Sequence, residues 1–543
     1  SGLPDVNTTY LHIDAKELAT SYSDITEFPN YPFSEGKKIE LPLELKRLGK
    51  ISYQGKFDGF MTDFTTHGKF NTDLGKVNAQ LSIKMGKNIS DITYHGKLST
   101  INFNLGTLIG QRDLNSLSMN SEVKGKGVTI KDIDAEFEGE ILNVTYNKYN
   151  YKNVKLNGSF SDKLFSGLLV CQDPNANFDF NGTVNFRNRV PEMDFISTLN
   201  NINLNRLNFT NASDSGSLSS QILINIKGNN LDDLSGQVNF DNTIYKTKTR
   251  IFKLSTFNIE TEQIADEKKI KLNSAYFNAI VGGRYKISNL QPAMELMLYS
   301  YYPDFFTKPK STKKFTDEID FKVTIKKFNT INELFIPSLM LSPGSDMEGS
   351  FKALENKLTL RLVSSKIDYN SVHLKNFTFN VSEADTHVYV IGACKSLTIG
   401  DSLNFDNFNL NVGSINRDAN YSLNWDNLKK PLFKGEIVGR LNYSKSILNL
   451  LNDKIAITVN DSIWNMINPN KITIDSNANI TLNPLIIRNH VQSVNITGTY
   501  SDKLNDSLVI NTSSLIIEQF NPLLKLLKIR AEGIMNGNMS LTN

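Results

Sequence analysis

Residues Glu138 to Phe186 read EGEILNVTYNKYNYKNVKLNGSFSDKLFSGLLVCQDPNANFDFNGTVNF, and this stretch decides the fold class. Val154, Leu156, Gly158 and Phe160 fall on one parity, and Phe165, Gly167, Leu169 and Cys171 on another. Phe178, Phe180, Gly182, Val184 and Phe186 then alternate with Asp179, Asn181, Thr183 and Asn185. A period of two is that of a sheet with one apolar face and one wet face. The separators SDKL and QDPNAN are rich in turn residues. The unit is a ribbon of antiparallel strands with one greasy side.

Working outward, the same grammar recurs almost end to end. Val77, Ala79, Leu81, Ile83 and Met85 alternate cleanly, as do Ile222, Ile224 and Ile226, then Phe321, Val323 and Ile325, and Leu358, Leu360 and Leu362. Strand is also expected from Tyr10 to Ile25. Gly55, Gly68 and Gly96 each precede Lys and then Phe or Leu. Glycines inside strands mark bulges, bends or close backbone approach, so these are expected to bend the sheet along one line. In INLNRLNF, Ile202 and Leu204 share one face and Leu207 and Phe209 the other, which places a parity-restoring bulge at Asn205-Arg206.

Interruptions are few. Leu105, Leu108 and Ile109 have the spacing of a short helical turn. Pro292 suits a helix's first turn, and Met294, Met297, Leu298 and Tyr301 give a stripe ending before Pro303. Thr330 and Glu333 form a capping pair that Pro337 cuts short. SKSILNLLNDK reads as a helical turn. In FNPLLKLLKIR, Asn521 caps and Pro522 opens a helix with an apolar face. The basic connector TKPKSTKKFTDE divides the chain into 1–306, a hinge at 307–318, and 319–543.

Composition excludes several classes. Of 543 residues 39% are apolar, with 32 Phe and 19 Tyr, which rules out disorder. The net charge of +3 comes from 59 basic and 56 acidic side chains spread singly, so no nucleic-acid footprint is concentrated anywhere. Cys171 and Cys394 form no CxxC; a disulfide is open to them in an oxidising compartment, but two isolated buried thiols are expected. His12, His67, His95, His373, His387 and His490 lack metal-ligand spacing, and there is no phosphate-cradling loop, GxSxG elbow or zinc-protease motif. No catalytic residue, metal or cofactor is assigned. No run reaches the roughly 20 apolar residues of a membrane helix, and the opening SGLPDV and closing SLTN are expected to bound a fragment of a longer protein.

An apolar sheet face left wet costs roughly 25 cal/mol for each Å². It can pair with a second sheet, close as a solenoid, or curl as a trough, and the many phenylalanines favour the trough. About 35 strands at about 4.8 Å would extend on the order of 170 Å. The expected fold is therefore all-β, an elongated, twisted, curled antiparallel sheet forming a U-shaped groove with a few short helices. Val154, Leu156, Phe160, Phe178, Phe180, Val184 and Phe186 are expected to line it, with Asp179, Asn181, Thr183 and Asn185 outside. Such a lining suits acyl chains; packing closed by side chains alone is the rival.

The sequence resembles the TamB proteins of the AsmA-like group, in their Bacteroidota branch. The resemblance rests on YNKYNYKNVKLNGSF and DPNANFDFNGTVNF between Tyr146 and Phe186, LDDLSGQVNFDNTIY from Leu231, IVGGRYKISNLQPAM from Ile280, DSIWNMINPNKITID from Asp461 and FNPLLKLLKIRAEGIMNG from Phe520. It implies a Gram-negative envelope protein, anchored in the inner membrane, whose long periplasmic body carries an apolar groove. It further implies phospholipid or other acyl-lipid movement toward the outer membrane, or assistance to barrel-protein assembly. An outer-membrane partner of the TamA or BamA type would be engaged through a C-terminal region not in this chain. A scaffold that captures barrel strands at its edges and a passive spacer or adhesin are the alternatives to conduction; an enzyme is not expected.

Overall fold

The computed structural model describes residues 8–27, 41, 43–128, 132–210, 216–301, 306–309, 313–328, 332, 336–384, 387–400, 403–415, 418–427, 432–444, 446–501, 506–524 and 529–542. Among these the chain is all-β, 68% strand and 9% helical, with antiparallel pairing throughout. It divides into two compact units, Ser1–Glu260 and Thr261–Asn543.

In the first unit the strands are β1 (Leu11–Ser21), β2 (Lys50–Phe60), β3 (Asp63–Thr72), β4 (Gly75–Lys84), β5 (Thr93–Asn104), β6 (Leu114–Lys126) and β7 (Asp134–Tyr146). They continue as β8 (Tyr149–Ser161), β9 (Leu164–Asp173), β10 (Ala176–Asn185), β11 (Glu192–Asn203), β12 (Ser217–Lys227) and β13 (Ser235–Lys246). Each pairs with the next in sequence. Asn147-Lys148 and Asp162-Lys163 hold positive φ at both residues (47° and 63°; 48° and 60°). That is the two-residue hairpin whose twist matches the flanking strands. The Tyr10 to Ile25 segment is strand only to Ser21, followed by α1 (Tyr22–Glu27).

Facing residues of an antiparallel pair point to the same side, so the register can be followed strand by strand from β1 to β13. One row of direct partners runs Leu11, Gly59, Phe64, Ile83, Tyr94, Gly125, Ala135, Phe160, Phe165, Val184, Met193, Ile226, Gly236. The row two residues along runs Ile13, Phe57, Thr66, Leu81, Gly96, Val123, Phe137, Gly158, Gly167, Gly182, Phe195, Ile224, Val238. Across both rows the polar side-chain atoms are the hydroxyls of Tyr94 and Thr66. Twelve strand spacings of about 4.8 Å give a path of about 58 Å.

The register survives odd spacings because bulges absorb them. Three register shifts, at Thr100/Phe103, Leu199/Ile202 and Ser219/Gln221, contain or face an asparagine in the left-handed conformation, Asn102 (φ 49°), Asn201 (53°) and Asn242 (51°), whereas those at Ala15/Leu18, Leu114/Leu117 and Ser118/Met119 do not. Leu199 and Ile202 are three apart yet stay on one face, since two residues of β11 oppose one of β12. The backbone N–H groups of Asn102 and Asn201 donate to the hydroxyls of Ser118 and Ser219, both at 2.9 Å. The sequence places this correction at Asn205-Arg206; instead β11 ends at Asn203 and 204–208 is a turn.

The strand glycines mark close backbone approach rather than bulges. Gly55 pairs with Gly68, and Gly158 with Gly167 and then Gly182, all in unbroken register. A Cβ on Gly55 would stand 2.3 Å from the His67 carbonyl oxygen and one on Gly96 2.1 Å from that of Gln80, whereas one on Gly68 would stand 2.1 Å from the Tyr53 ring. In the second unit a Cβ on Gly435 would stand 2.3 Å from Trp425.

The second unit repeats the design. From the strand Glu267–Ser274 to the strand Ile447–Val459 one row of partners runs Leu272, Ala279, Val323, Met347, Leu362, Phe379, Gly392, Leu410, Leu423, Ile437, Ile455. Left-handed Asn376 and Asn407 precede Phe377 and Phe408 as Asn201 precedes Ile202. The helical turn expected in SKSILNLLNDK is strand, within Ile447–Val459 and paired on both sides.

The turn at Leu105, Leu108 and Ile109 is helical, α2 (Leu105–Ile109). The helix α3 (Ile287–Tyr301) starts five residues before Pro292 and buries Ala293 and Met297, while Met294 is 43% exposed. Its start is set from a distance: the Asp317 carboxylate accepts the Lys286 N–H at 2.8 Å and the Asn289 amide at 3.1 Å. Phe315 and Asp317, inside the stretch 307–318, are both buried, and Phe315 packs in the cluster with α3. Asn521 is the first residue of a short helix, Asn521–Leu524, and its side chain accepts the Ala531 N–H at 3.0 Å rather than capping. The Thr330–Glu333 pair lies outside the described residues.

Replacing Asn201 tests the bulge. Glycine there keeps the left-handed conformation and stability, whereas Asn201→Val should cost roughly 1–2 kcal/mol or more, because a β-branched side chain collides with its own carbonyl at that φ. Hydrogen exchange of the amides from Leu199 to Ile202 is expected to speed up about tenfold in the valine variant alone; equal exchange in both would contradict this role.

Candidate functional site

The seven residues expected to line a groove converge as far as β10 extends. Val154 and Phe178 both face Cys171, Leu156 and Phe180 both face Leu169, and Phe160 and Val184 both face Phe165. Six of them thus occupy one face of β8 to β10. Phe186 lies just past the end of β10, 50% exposed, with its N–H donating to the Lys163 carbonyl at 2.8 Å. Asp179, Asn181, Thr183 and Asn185 take the other face.

That apolar face is closed at one end of the strands and open at the other. Val154 is 4% exposed, Cys171 0% and Leu207 2%, within a cluster that includes Tyr151, Ala176 and Ile202. The 204–208 turn forms its cover. The Asn147 amide donates to the carbonyls of Leu207 and Asn208, each at 3.2 Å, and the Asn208 amide returns to the Asn147 carbonyl at 3.0 Å. Asp173, also buried, accepts from the Tyr149 hydroxyl (2.6 Å) and the Asn175 N–H (2.8 Å), tying the neighbouring turn. Burial pushes the Cys171 thiol up and the Tyr151 phenol up to about 12, so both stay neutral.

Toward the other end, the large side chains of the Leu11 to Gly236 row are half-buried, and its buried members are Gly59 and Ala135. Here aromatic rings from β7, β9, β10 and β11 make a chain of contacts: Phe137 to Phe165 at 6.3 Å, Phe165 to Phe180 at 6.0 Å, and Phe180 to Phe195 at 4.7 Å. Phe137, Phe165 and Phe195 are missing from the lining expected from sequence. Phe165 carried the right parity in the SGLLVC strand, whereas Phe195 sits in MDFIST, whose short apolar run leaves its face open until paired with Gly182.

The opposite face is charged but not uniformly. Gln80, Lys97, Glu122, Glu138 and Asn157 form one row, with Lys97 Nζ 3.6 Å from Glu122 Oε1. A concavity of about 790 Å³ opens on this side, walled by Lys97, Glu122, Glu138 and Lys155 and reaching Leu168 and Val170. Cross-strand charges line this hollow, and the long apolar rows lie on the other side of the sheet. Leu168 and Ile196 flank Asn181 on the charged face and are both exposed, against the expected strict alternation.

Among the described residues no three His, Cys, Asp or Glu side chains assemble as a metal set, and no helix is long and apolar enough to cross a membrane. Comparison of the chain with protein-family models, characterised proteins and solved structures finds no match.

Cys171 and Cys394 are free, buried, and placed one in each unit. Burial pushes the Cys394 thiol up to about 11, so near pH 8 only about one in 10³ is thiolate, the species that reacts. Maleimide labelling of either cysteine is expected to run at least 100-fold slower in the folded protein than in denaturant. Labelling at comparable rates would show that the covered end of the sheet is open.

Proposed function

We propose that the open apolar face carries the acyl chains of lipids, and that the protein works as a TamB-like periplasmic conduit between inner and outer membranes of a Gram-negative bacterium. The observation that carries this reading is the unbroken row from Leu11 to Gly236, thirteen consecutive strands without a charged, amide or aliphatic hydroxyl side chain. Its path of about 58 Å is about twice the 30 Å hydrocarbon thickness of a bilayer, so no single acyl chain fills it. Roughly 0.8 kcal/mol accrues for each buried CH2, and a 16-carbon chain gains on the order of 10 kcal/mol relative to water. Relative to a bilayer that gain nearly cancels, which suits a conduit, since cargo must leave as readily as it enters. A row of similar apolar steps lets a chain slide with small barriers; one charge in the row should stop it. No chemical step belongs to this reading, and the passage toward an outer-membrane barrel partner rests on the family resemblance alone.

Replacing Phe180 with Asp puts a carboxylate in the aromatic chain, whereas Asn181→Asp places the same charge on the opposite face. With both variants shown to fold by circular dichroism, phospholipid co-purified with Phe180→Asp is expected to fall at least fivefold and with Asn181→Asp to match wild type. No lipid on the native protein, or equal occupancy in both variants, would overturn conduction and favour a scaffold for barrel-protein assembly.

A further inference from the structure

The strand ends of the first unit form two rims that differ in kind. One carries α2 and the turns 147–148 and 204–208, and the apolar face beside it is buried at Phe103, Leu117, Tyr151, Val154, Cys171 and Ile202. The other carries the turns 61–62, 162–163 and 186–191 and borders the open Leu11 to Gly236 row. An amphiphile lying on that row cannot direct its polar end toward the sealed rim without desolvating it. Its headgroup must emerge at the open rim.

Charge on the open rim is mostly cancelled internally. Lys84 pairs with Asp63 at 3.9 Å, Lys126 with Asp91 at 3.2 Å, Arg187 with Asp162 at 2.8 Å and Lys227 with Glu192 at 3.6 Å. Among the described residues, two cations on neighbouring turns of this rim, Lys163 and Arg189, are left without an acidic partner. Lys163 is held in the β8–β9 hairpin by its left-handed φ of 60°. Its carbonyl accepts the Phe186 N–H at 2.8 Å, and the Arg187 Nε donates to the Asp162 carbonyl at 3.0 Å. These bonds fasten the β8–β9 turn to the 186–191 turn, so that Lys163 and Arg189 stand about two strand spacings, or about 10 Å, apart. Beneath them lie Phe160, Phe165, Val184 and Met193 of the open row.

We infer that Lys163 and Arg189 seat the phosphate of a phospholipid whose acyl chains lie on the adjoining apolar row, making the conduit selective for lipids with a phosphodiester headgroup. This rests on the acyl-carrying reading above and adds which rim the headgroups follow and which group on them is recognised. A phosphodiester offers charge and two free oxygens to the two cations; a diacylglycerol of the same chains offers only a hydroxyl.

The test is occupancy of the full chain by native mass spectrometry after incubation with mixed micelles holding phosphatidylglycerol or diacylglycerol with identical chains. Wild type is expected to retain phosphatidylglycerol about 30-fold better, as two surface cations near a lipid phosphate would give. The advantage should shrink in 0.5 M salt. The double variant Lys163→Asn, Arg189→Gln, whose asparagine tolerates the left-handed turn, should bind both lipids alike with diacylglycerol unchanged. Lys148→Asn on the sealed rim should leave the preference intact. Equal binding of the two lipids by wild type, a preference that survives the double variant, or its loss in Lys148→Asn would overturn the headgroup assignment alone. Failure of the folded wild type to bind either lipid would overturn the acyl reading and this inference together.

Discussion

Everything in this protein depends on cross-strand register. Side chains alternate faces along a strand, so a slip of one residue against a neighbour moves an entire apolar set into water. Holding one face apolar across thirteen successive strands therefore demands that every pairing respect the parity of the last. The chain meets this demand with two devices. Tight two-residue turns such as Asn147-Lys148 fix the register where strands begin. Left-handed asparagines, including Asn102, Asn201 and Asn242, add a residue where the apolar spacing is odd. Asparagine suits the place because its short amide makes it one of the few non-glycine residues that enter this conformation readily.

Register also explains why the two ends of the strands differ. Beyond the bulges, near the sealed rim, the face meets Leu207 and the turn that carries it, and buried side chains such as Val154 and Cys171 form an ordinary core there. That core supplies the burial that a single sheet otherwise lacks. The rest of the face is left half-exposed, its phenylalanines resting on one another and over glycines of neighbouring strands. Stability and accessibility are thus separated along the length of each strand. Half of a strand holds the fold together while the other half remains available to a ligand.

The alternation was legible in the sequence because period two is a local signal, and six of the seven expected lining residues share a face in consequence. What was not legible depends on residues far apart. The start of α3 is set by Asp317, some thirty positions on, which no reading of the local proline can anticipate. The strand Ile447–Val459 begins ILNLL, whose leucines fit a helix and a strand equally until both neighbours pair with it. The bulge in β11 was expected by the right reasoning at the wrong residue, since a parity break between Leu199 and Ile202 resembles one between Leu204 and Leu207. A usable signal was present: Asn153, Asn201, Asn376 and Asn407 each stand immediately before the second member of an apolar pair spaced three apart.

The measurement that bears most directly on the account is a photo-crosslinking scan along β10 in cells of the native host. A photoreactive amino acid is placed singly at each position from Phe178 to Val184 and lipid adducts are read by mass spectrometry. Adducts are expected to alternate over the open part of the strand, strong at 180, 182 and 184 and at background at 181 and 183, and to stay at background at 178, which packs against the sealed core, and at 179. Adducts of equal strength at every position, or confined to the odd ones on the charged face, would contradict the claim that the in-register apolar face is where lipid travels.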